Sequence, residues 1–531
     1  MTSLTNNKKE SIAVPILFVP GIMGSRLTNE DGEIVWDPPP GGLSCKGIKA
    51  LWQGLWDDAD DRKQRLIGEP GQSFDSSFLR VAGLSSSPSE GEDKKHWRKV
   101  VTVPPGPEKI AIQSSQLSLP VALCSTAQPY KTRGWGTIHW ESYGPFLQWL
   151  EQICTNITLK GVNCHVYLPI YACGYNWTAS NADSAEGLSK WIKAAKNEMG
   201  TLGIKVDKIL IISHSMGGFV SRYCAVETKR ENDIHAICHI AMPDNGSPAT
   251  YKRMKAGFEG IAKMVLGRNG KEVTAVLAHA PGGLELLPNV HYRQQDGAQG
   301  GWLTLEDKNE SILLFQGKNP YNTVYKESHK WWRLINPDWV EPSKKVPKNI
   351  KIKLLRNKVF KGTLLKARDF HNKLKENKHA NTWLIYSVFN AKVWDKVQWK
   401  LVQKIVHVAR GGASTSLNQD ANLPTPSLQA LTQNPPLHRE AGNGRIALTH
   451  EKRTATLNEV RIQPGTAAGD GTVHRGAGDH AINIVHYVPL DIPDDHQEIM
   501  NNVQVKDHVD HFIKTMLRNF SNCNFHDKCG M

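Results

Sequence analysis

The stretch KILIISHSMGGFVSRYC, residues 208–224, leaves its backbone little choice. KILII is an apolar run with the length of a buried strand. After the turn, Phe219, Val220, Tyr223 and Cys224 recur at helical spacing. A strand that becomes a helix within so few residues strains the residue at the apex, Ser215, and only tiny neighbours avoid a clash. Gly217 and Gly218 follow it, while the position two before it holds Ser213, small but not glycine. Ser215 is therefore a candidate nucleophile, provided the chain supplies a base, an acid and donors for an oxyanion.

The rest of the chain has the matching pattern. IAVPILFV (12–19) is a buried strand ending in Pro20-Gly21, and CHVYLPIYACGYNW (164–177) is a strand followed by a long loop. Leu188, Trp191, Ile192, Ala195 and Met199 make Ser184–Met199 an amphipathic helix, and IHAICHIAMP (234–243) is a further strand. Strands alternating with helices predict an α/β protein with a mainly parallel sheet and helices on both faces. The alternation lapses between about Asn245 and Pro464 and returns with AINIVHYVPL and a helix near Val503–Leu517. The expected division is a catalytic core of residues 1–244 and 455–531, with a polar surface excursion over about 26–135. Residues 245–454 form a lid or cap inserted at the carboxyl ends of the strands, over the site.

Acyl transfer at a serine needs two backbone N–H groups aimed at the developing oxyanion. Met216, after the nucleophile, supplies one, and the glycine-rich loop VPGIMGS supplies the other through Ile22 or Met23. The acid and base should follow the serine in the order acid, histidine. AAGDGTVHRGAG sets Asp470 between glycines at a strand end, and DIPDDHQEIMNN sets His496 in a loop before the last helix. Asp244, Asp479 and Asp495 are rival acids; His480, His486, His508 and His511 are rival bases.

The net charge of +14 is mostly local, because Lys344–Lys378 carries thirteen Lys or Arg against two acids. A patch of that kind attracts polyanions or is simply a solvated helix face. Six of the sixteen tryptophans (Trp331, Trp332, Trp339, Trp383, Trp394, Trp399) flank or follow it, and Trp beside Lys favours a membrane interface. No nucleic-acid motif accompanies it, so no nucleic-acid partner is expected. The nine cysteines are scattered without a CxxC pair, which indicates neither a metal site nor a disulfide framework; Cys154 with Cys164, or Cys523 with Cys529, would pair only in an oxidising compartment. No apolar run is long enough to span a membrane. A cleaved signal is not expected either, since cutting after residues 12–19 would remove a strand and the VPGIMGS loop.

FVPGIMGS, GYNW, SHSMGG, and GDGTV followed by a histidine loop resemble the α/β-hydrolase lipases that include lecithin:cholesterol acyltransferase, lysosomal phospholipases and GPI-inositol deacylases. AMPDNGSPATYKRMKAG, PGGLELLPNVHY and NPYNTVYKESHKWWRLINP resemble bacterial lipase effectors of the type VI secretion system. The resemblance covers roughly residues 12–330 and 455–518. It implies a cofactor-free serine lipase acting on membrane phospholipids, with Ser215 as nucleophile, Asp470 as acid, His496 as base, and Ile22 with Met216 at the oxyanion hole. It also implies a protein made in the cytoplasm, delivered by a secretion spike into a neighbouring cell's periplasm and matched by a cognate immunity protein. Two positions depart from the pattern: Asn176 stands where an acid is common, and His474 stands where proline is usual.

Overall fold

The computed structural model describes residues 10–28, 34–36, 58–67, 133–156, 164–259, 263, 266–315, 319–342, 350–405, 407–408, 414–415, 427–433, 437–449 and 456–518. Most of the excursion expected at 26–135 lies outside them, as do Cys45, Cys124, Cys523 and Cys529.

Six strands build the central sheet: β1 (Ile16–Val19), β2 (Ile170–Ala172), β3 (Ile209–His214), β4 (Ile234–Ile240), β5 (Thr382–Ser387) and β6 (His486–Leu490). Their order is β6-β5-β4-β3-β1-β2, and every pairing is parallel. Alternate residues of each strand face opposite ways, so both faces must be covered. Leu17, Val19, Ile209, Ile211 and Ile237 pack with α2 (Asn181–Thr201), α3 (Gly217–Val226) and α4 (Ile350–Leu374). Ile16, Phe18, Leu210, Ile212 and Cys238 pack instead with α1 (Trp140–Asn156) and α5 (Val503–Arg518). The protein thus has the α/β-hydrolase arrangement expected of it, a parallel sheet with helices on both faces.

The interval 245–454, expected as one insertion outside the core, contains two core elements. β5 pairs with both β4 and β6, and α4 is the helix that crosses over from β4 to β5. The helix is amphipathic: Phe370 stacks on Tyr223 of α3 with ring centroids 5.3 Å apart, while Lys358, Lys361, Lys366 and Lys373 on its other side are exposed. Two separate excursions therefore leave the carboxyl ends of neighbouring strands, one after β4 and one after β5. They share a second six-stranded sheet, ordered 311–313, 303–306, 397–405, 456–462, 445–449, 437–440, in which only the 303–306 and 397–405 pair is parallel. Its strand Thr456–Ile462 runs past the expected boundary at 454.

The tryptophans do not form a membrane belt. Trp331, Trp332, Trp383 and Trp399 are buried and Trp339 and Trp394 half-buried. Trp331 packs edge-on against Trp399 and donates its indole N–H to the Leu431 carbonyl, so these rings are core of the cap. Lys378, counted within the basic patch, is buried in an ion cluster with Arg222 and Asp244. Cys154 carries a free thiol in this structure, and the side chain of Cys164, its candidate partner in an oxidising compartment, lies outside the described ones. Among the described residues no helix is long and apolar enough to cross a membrane.

Candidate active site

β3, buried along its whole length, ends in the strained turn that the glycines announced. Ser215 has φ +51°, its N–H donates to the Ile240 carbonyl at 2.9 Å, and its carbonyl accepts the Gly218 N–H at 2.9 Å. A Cβ at Gly217 would lie 2.4 Å from the Pro20 carbonyl oxygen and 2.5 Å from that of Val19; one at Gly218 would lie 2.5 Å from Cγ and Sδ of Met242. Ser213 is explained by its neighbour, for it sits in register with His239 of β4 and its hydroxyl meets His239 Nδ1 at 2.6 Å. Two further non-glycine residues hold positive φ beside the turn: Met23 at +64° and Ala241 at +53°. Strain of this kind concentrates at sites where geometry matters more than stability.

The structure brings Ser215, His496 and Asp470 together. His496 Nε2 lies 2.7 Å from Ser215 Oγ, and His496 Nδ1 lies 2.7 Å from Asp470 Oδ2. The other carboxylate oxygen, Oδ1, accepts the amides of Thr472 at 3.0 Å and Val473 at 2.7 Å. Burial alone would raise the Asp470 carboxyl, but the charge of His496, its hydrogen bond and the two amides outweigh it and hold the group below the usual range. A carboxylate can only accept, so His496 Nδ1 donates and Nε2 is left to accept the serine proton. Ser215 and Asp470 are only 4% and 2% exposed, so this chemistry is largely shielded from solvent.

Asp470 reaches the site at the end of β5 only after the second excursion. The Gly469 N–H donates to the Phe389 carbonyl at 2.7 Å, just past that strand. Ser387, the last residue of β5, directs its hydroxyl to the carbonyls of Gly469 and Ile492, one on the acid loop and one on the histidine loop. Ser247 and Arg253 fasten Thr472 through its carbonyl and hydroxyl, both at 3.0 Å. Nothing in the sequence singled out Ser387, because its role depends on two loops far away in the chain.

The rivals are committed elsewhere. Asp244 neutralises Arg222 and Lys378, Asp479 pairs with Arg475 and Tyr487, and Asp495 accepts the amides of Gln497 and Glu498. His480 meets the Gln295 carbonyl, His486 packs at a tilt against Trp383, and His508 and His511 ride on α5. His474, the departure after GDGTV, is buried, with Nε2 3.0 Å from the Tyr292 hydroxyl. Asn176 caps its own turn, its side-chain oxygen accepting from the amide and hydroxyl of Thr178.

VPGIMGS forms a turn closed by the Gly24 N–H on the Gly21 carbonyl at 3.0 Å. Gly21 lies against the nucleophile: a Cβ there would be 3.0 Å from that of Ser215. Among the described residues the amides of Ile22 and Met216 have no protein acceptor, as donors kept for an oxyanion require. Sequence reasoning missed two participants nearby, Tyr143 and His214, although His214 lies within SHSMGG. Tyr143 takes the Gly21 N–H, His214 stands between Tyr143 and the carbonyl of His496, and both are buried.

A parallel sheet with a serine at the strained turn after an inner strand, and an acid and a histidine returning to neighbouring strand ends, defines the α/β-hydrolase fold. The chain is similar in structure to the protein of the Tle4–Tli4 complex, with a TM-score of 0.68 and 22% identity over 96% of this chain and 99% of that one. The sequence profile of the lecithin:cholesterol acyltransferase family matches residues 148–351. Phospholipase PlaB from Legionella pneumophila aligns at 10% identity over 66% of this chain and 90% of its own, with a TM-score of 0.18 that carries no fold argument. No curated protein matches the chain.

Proposed function

We propose that this protein is a serine lipase that hydrolyses acyl esters of membrane phospholipids through an acyl-enzyme on Ser215. The observation that carries the reading is the unbroken hydrogen-bonded chain Ser215, His496, Asp470. Ser215 Oγ attacks the ester carbonyl as its proton passes to His496 Nε2, and the oxyanion accepts the amides of Ile22 and Met216. Collapse breaks the ester bond, and His496 returns the proton to the departing lysolipid oxygen. Water then gives a proton to His496, attacks the acyl-enzyme and releases the fatty acid and Ser215. Asp470 keeps the imidazole in the accepting tautomer and balances the imidazolium. Ser215 is only 4% exposed, so the groups around it must move aside before a lipid reaches it.

The lipid class is supported by the match to the acyltransferase family profile, and the effector role by the type VI blocks and the fold shared with Tle4. Tle4 is known in complex with Tli4, and we assign this chain a cognate immunity protein on the same pattern, together with delivery by a secretion spike. The family match also supports a second reading, transfer of the acyl group to an alcohol instead of water, because both reactions share the acyl-enzyme.

Phospholipid liposomes of defined composition, incubated with the wild type and with Ser215→Ala, test the proposal. Fatty acid release should vanish in the variant, and undiminished release would remove Ser215 from the mechanism. Activity on short soluble esters with none on liposomes would replace the lipase with an esterase. An acceptor alcohol that captures the acyl group in place of water would establish the transferase.

A further inference from the structure

The oxyanion loop follows β1 and the histidine loop follows β6, and three strands, β3, β4 and β5, separate β1 from β6 in the sheet. No strand pairing therefore sets one loop against the other, yet acyl transfer needs both placed to a fraction of an ångström. One line of buried and part-buried hydrogen bonds spans the gap. The Gly21 N–H donates to the Tyr143 hydroxyl at 3.0 Å, that oxygen lies 2.8 Å from His214 Nδ1, and His214 Nε2 lies 2.9 Å from the His496 carbonyl.

Both ends of this line are backbone groups, one a donor and one an acceptor, which fixes the roles at the ends. A carbonyl only accepts, so His214 carries its proton on Nε2. Nδ1 of the neutral ring is then an acceptor, so the Tyr143 hydroxyl donates to it while its oxygen receives the Gly21 amide. With a neutral ring the order of donors has one solution. Burial, reinforced by the neighbouring His496, brings the His214 pKa down to about 3, so the ring is neutral wherever the base can work. The first turn of α1 supplies a second tie to the same loop, since the Gln497 amide donates to the Ser142 hydroxyl at 2.6 Å beside Tyr143.

We propose that Tyr143 and His214 are positioning residues that lock the oxyanion loop and the general-base loop to each other through one neutral imidazole. The proposal rests on the reading of His496 as base and of the Gly21–Gly24 turn as oxyanion loop.

The test uses the full chain and a short-chain p-nitrophenyl ester, which reports chemistry without membrane docking. Tyr143→Phe keeps the ring and removes only the hydroxyl; it should lower kcat about tenfold and leave KM within about twofold, because what it disturbs is transition-state geometry. His214→Leu should cost more, about a hundredfold. His214→Gln places an amide N–H where Nε2 was, and it should recover about tenfold over His214→Leu. That rescue is something a merely space-filling role would not give. If His214→Leu fails to fold, Tyr143→Phe and His214→Gln carry the test. The proposal is overturned if Tyr143→Phe keeps wild-type kcat, if the loss appears in KM alone, or if His214→Gln folds and is no better than His214→Leu. Ser215→Ala separates the two readings. An active Ser215→Ala refutes the serine mechanism, whereas an inactive one alongside a fully active Tyr143→Phe refutes only the strut.

Discussion

Replacing Asp470 by asparagine changes the chemistry of one atom and almost no volume. Two amides, those of Thr472 and Val473, already point at Oδ1, so the asparagine oxygen must occupy that side. The NH₂ group is thereby turned toward His496 Nδ1, 2.7 Å away in the wild type. Two donors cannot face each other at that distance, so the imidazole adopts the opposite tautomer, with Nδ1 accepting and Nε2–H directed at Ser215 Oγ. A base whose lone pair is on the wrong nitrogen cannot take the serine proton. Reversing the tautomer in a triad of this type costs about 10⁴ in kcat, which at about 1.4 kcal/mol per tenfold is about 5.5 kcal/mol of lost transition-state stabilisation. Because the oxygen-side hydrogen bonds survive, the unfolding midpoint of Asp470→Asn should stay close to the wild type, which keeps the kinetic loss separate from misfolding. The assay is kcat on a soluble ester together with fatty acid release from liposomes. A folded Asp470→Asn protein within tenfold of wild-type activity would refute the tautomer argument and with it the role of Asp470.

The other predictions concern packing, acid stability and the basic face. Gly217→Ala presses its methyl on the Pro20 and Val19 carbonyls, which are backbone and cannot yield, whereas Gly218→Ala meets the movable side chain of Met242. Gly217→Ala should therefore cost several times the about 1 kcal/mol of Gly218→Ala, read from urea midpoints, and equal losses would refute the reasoning. His214, His279 and His371 are held at about 3 by burial, so the stability they contribute is complete above the unfolded value near 6.5 and drains away as pH falls. At pH 5 the loss is about 2 kcal/mol for each, about 6 in all; Glu285, pushed up to about 7 by its own burial, returns about 2.5 of it. The urea midpoint should accordingly drop between pH 8 and pH 5, and a constant midpoint would show that these rings are not buried neutral. Reversing Lys361 and Lys366 to Glu should weaken binding to anionic vesicles in low salt, with no effect at about 1 M salt where charges are screened; unchanged low-salt binding would leave the exposed side of α4 a solvated face only.

What was legible in the sequence was whatever chemistry pins to one position. SHSMGG, GDGTV and the loop holding His496 each satisfy a local constraint, a strained turn or an acid between glycines at a strand end, and local constraints are written locally. β5 was not legible because TWLIYS, buried on both faces, has no alternation and follows the most basic stretch of the chain. The cap sheet was hidden for a different reason. Its strand 397–405 pairs with 303–306 on one side and 456–462 on the other, partners that lie far apart in the chain. The tryptophans misled because the sequence shows their closeness to lysines but not their burial, and Trp331 packs in space on Trp332, Trp399 and the Leu431 carbonyl. Composition records the first kind of neighbour and burial the second.

The path of the chain raises a mechanical difficulty that its contacts answer. Asp470 follows the cap strand 456–462 by only eight residues, so acid and cap lie in series, and a cap that opened for the proposed substrate would have to leave the acid in place. Between them the chain is tied several times to the first excursion and to the beginning of the second. Ala467 and Val393 exchange backbone hydrogen bonds at 2.8 and 3.0 Å, and the Ala468 N–H donates to the Gln295 side chain at 2.7 Å. Gly469 is tied to Phe389, and Thr472 to Ser247 and Arg253. A Cβ on Gly469 would lie 2.1 Å from the Val473 carbonyl, which is how closely the acid turn folds on itself. These ties isolate Asp470 from the strand that precedes it. The place where the cap can hinge in the second excursion therefore lies before Ala467, and cutting the Gln295 tie with Gln295→Ala should lower kcat more than it lowers lipid binding, while an effect on binding alone would put the hinge after the acid.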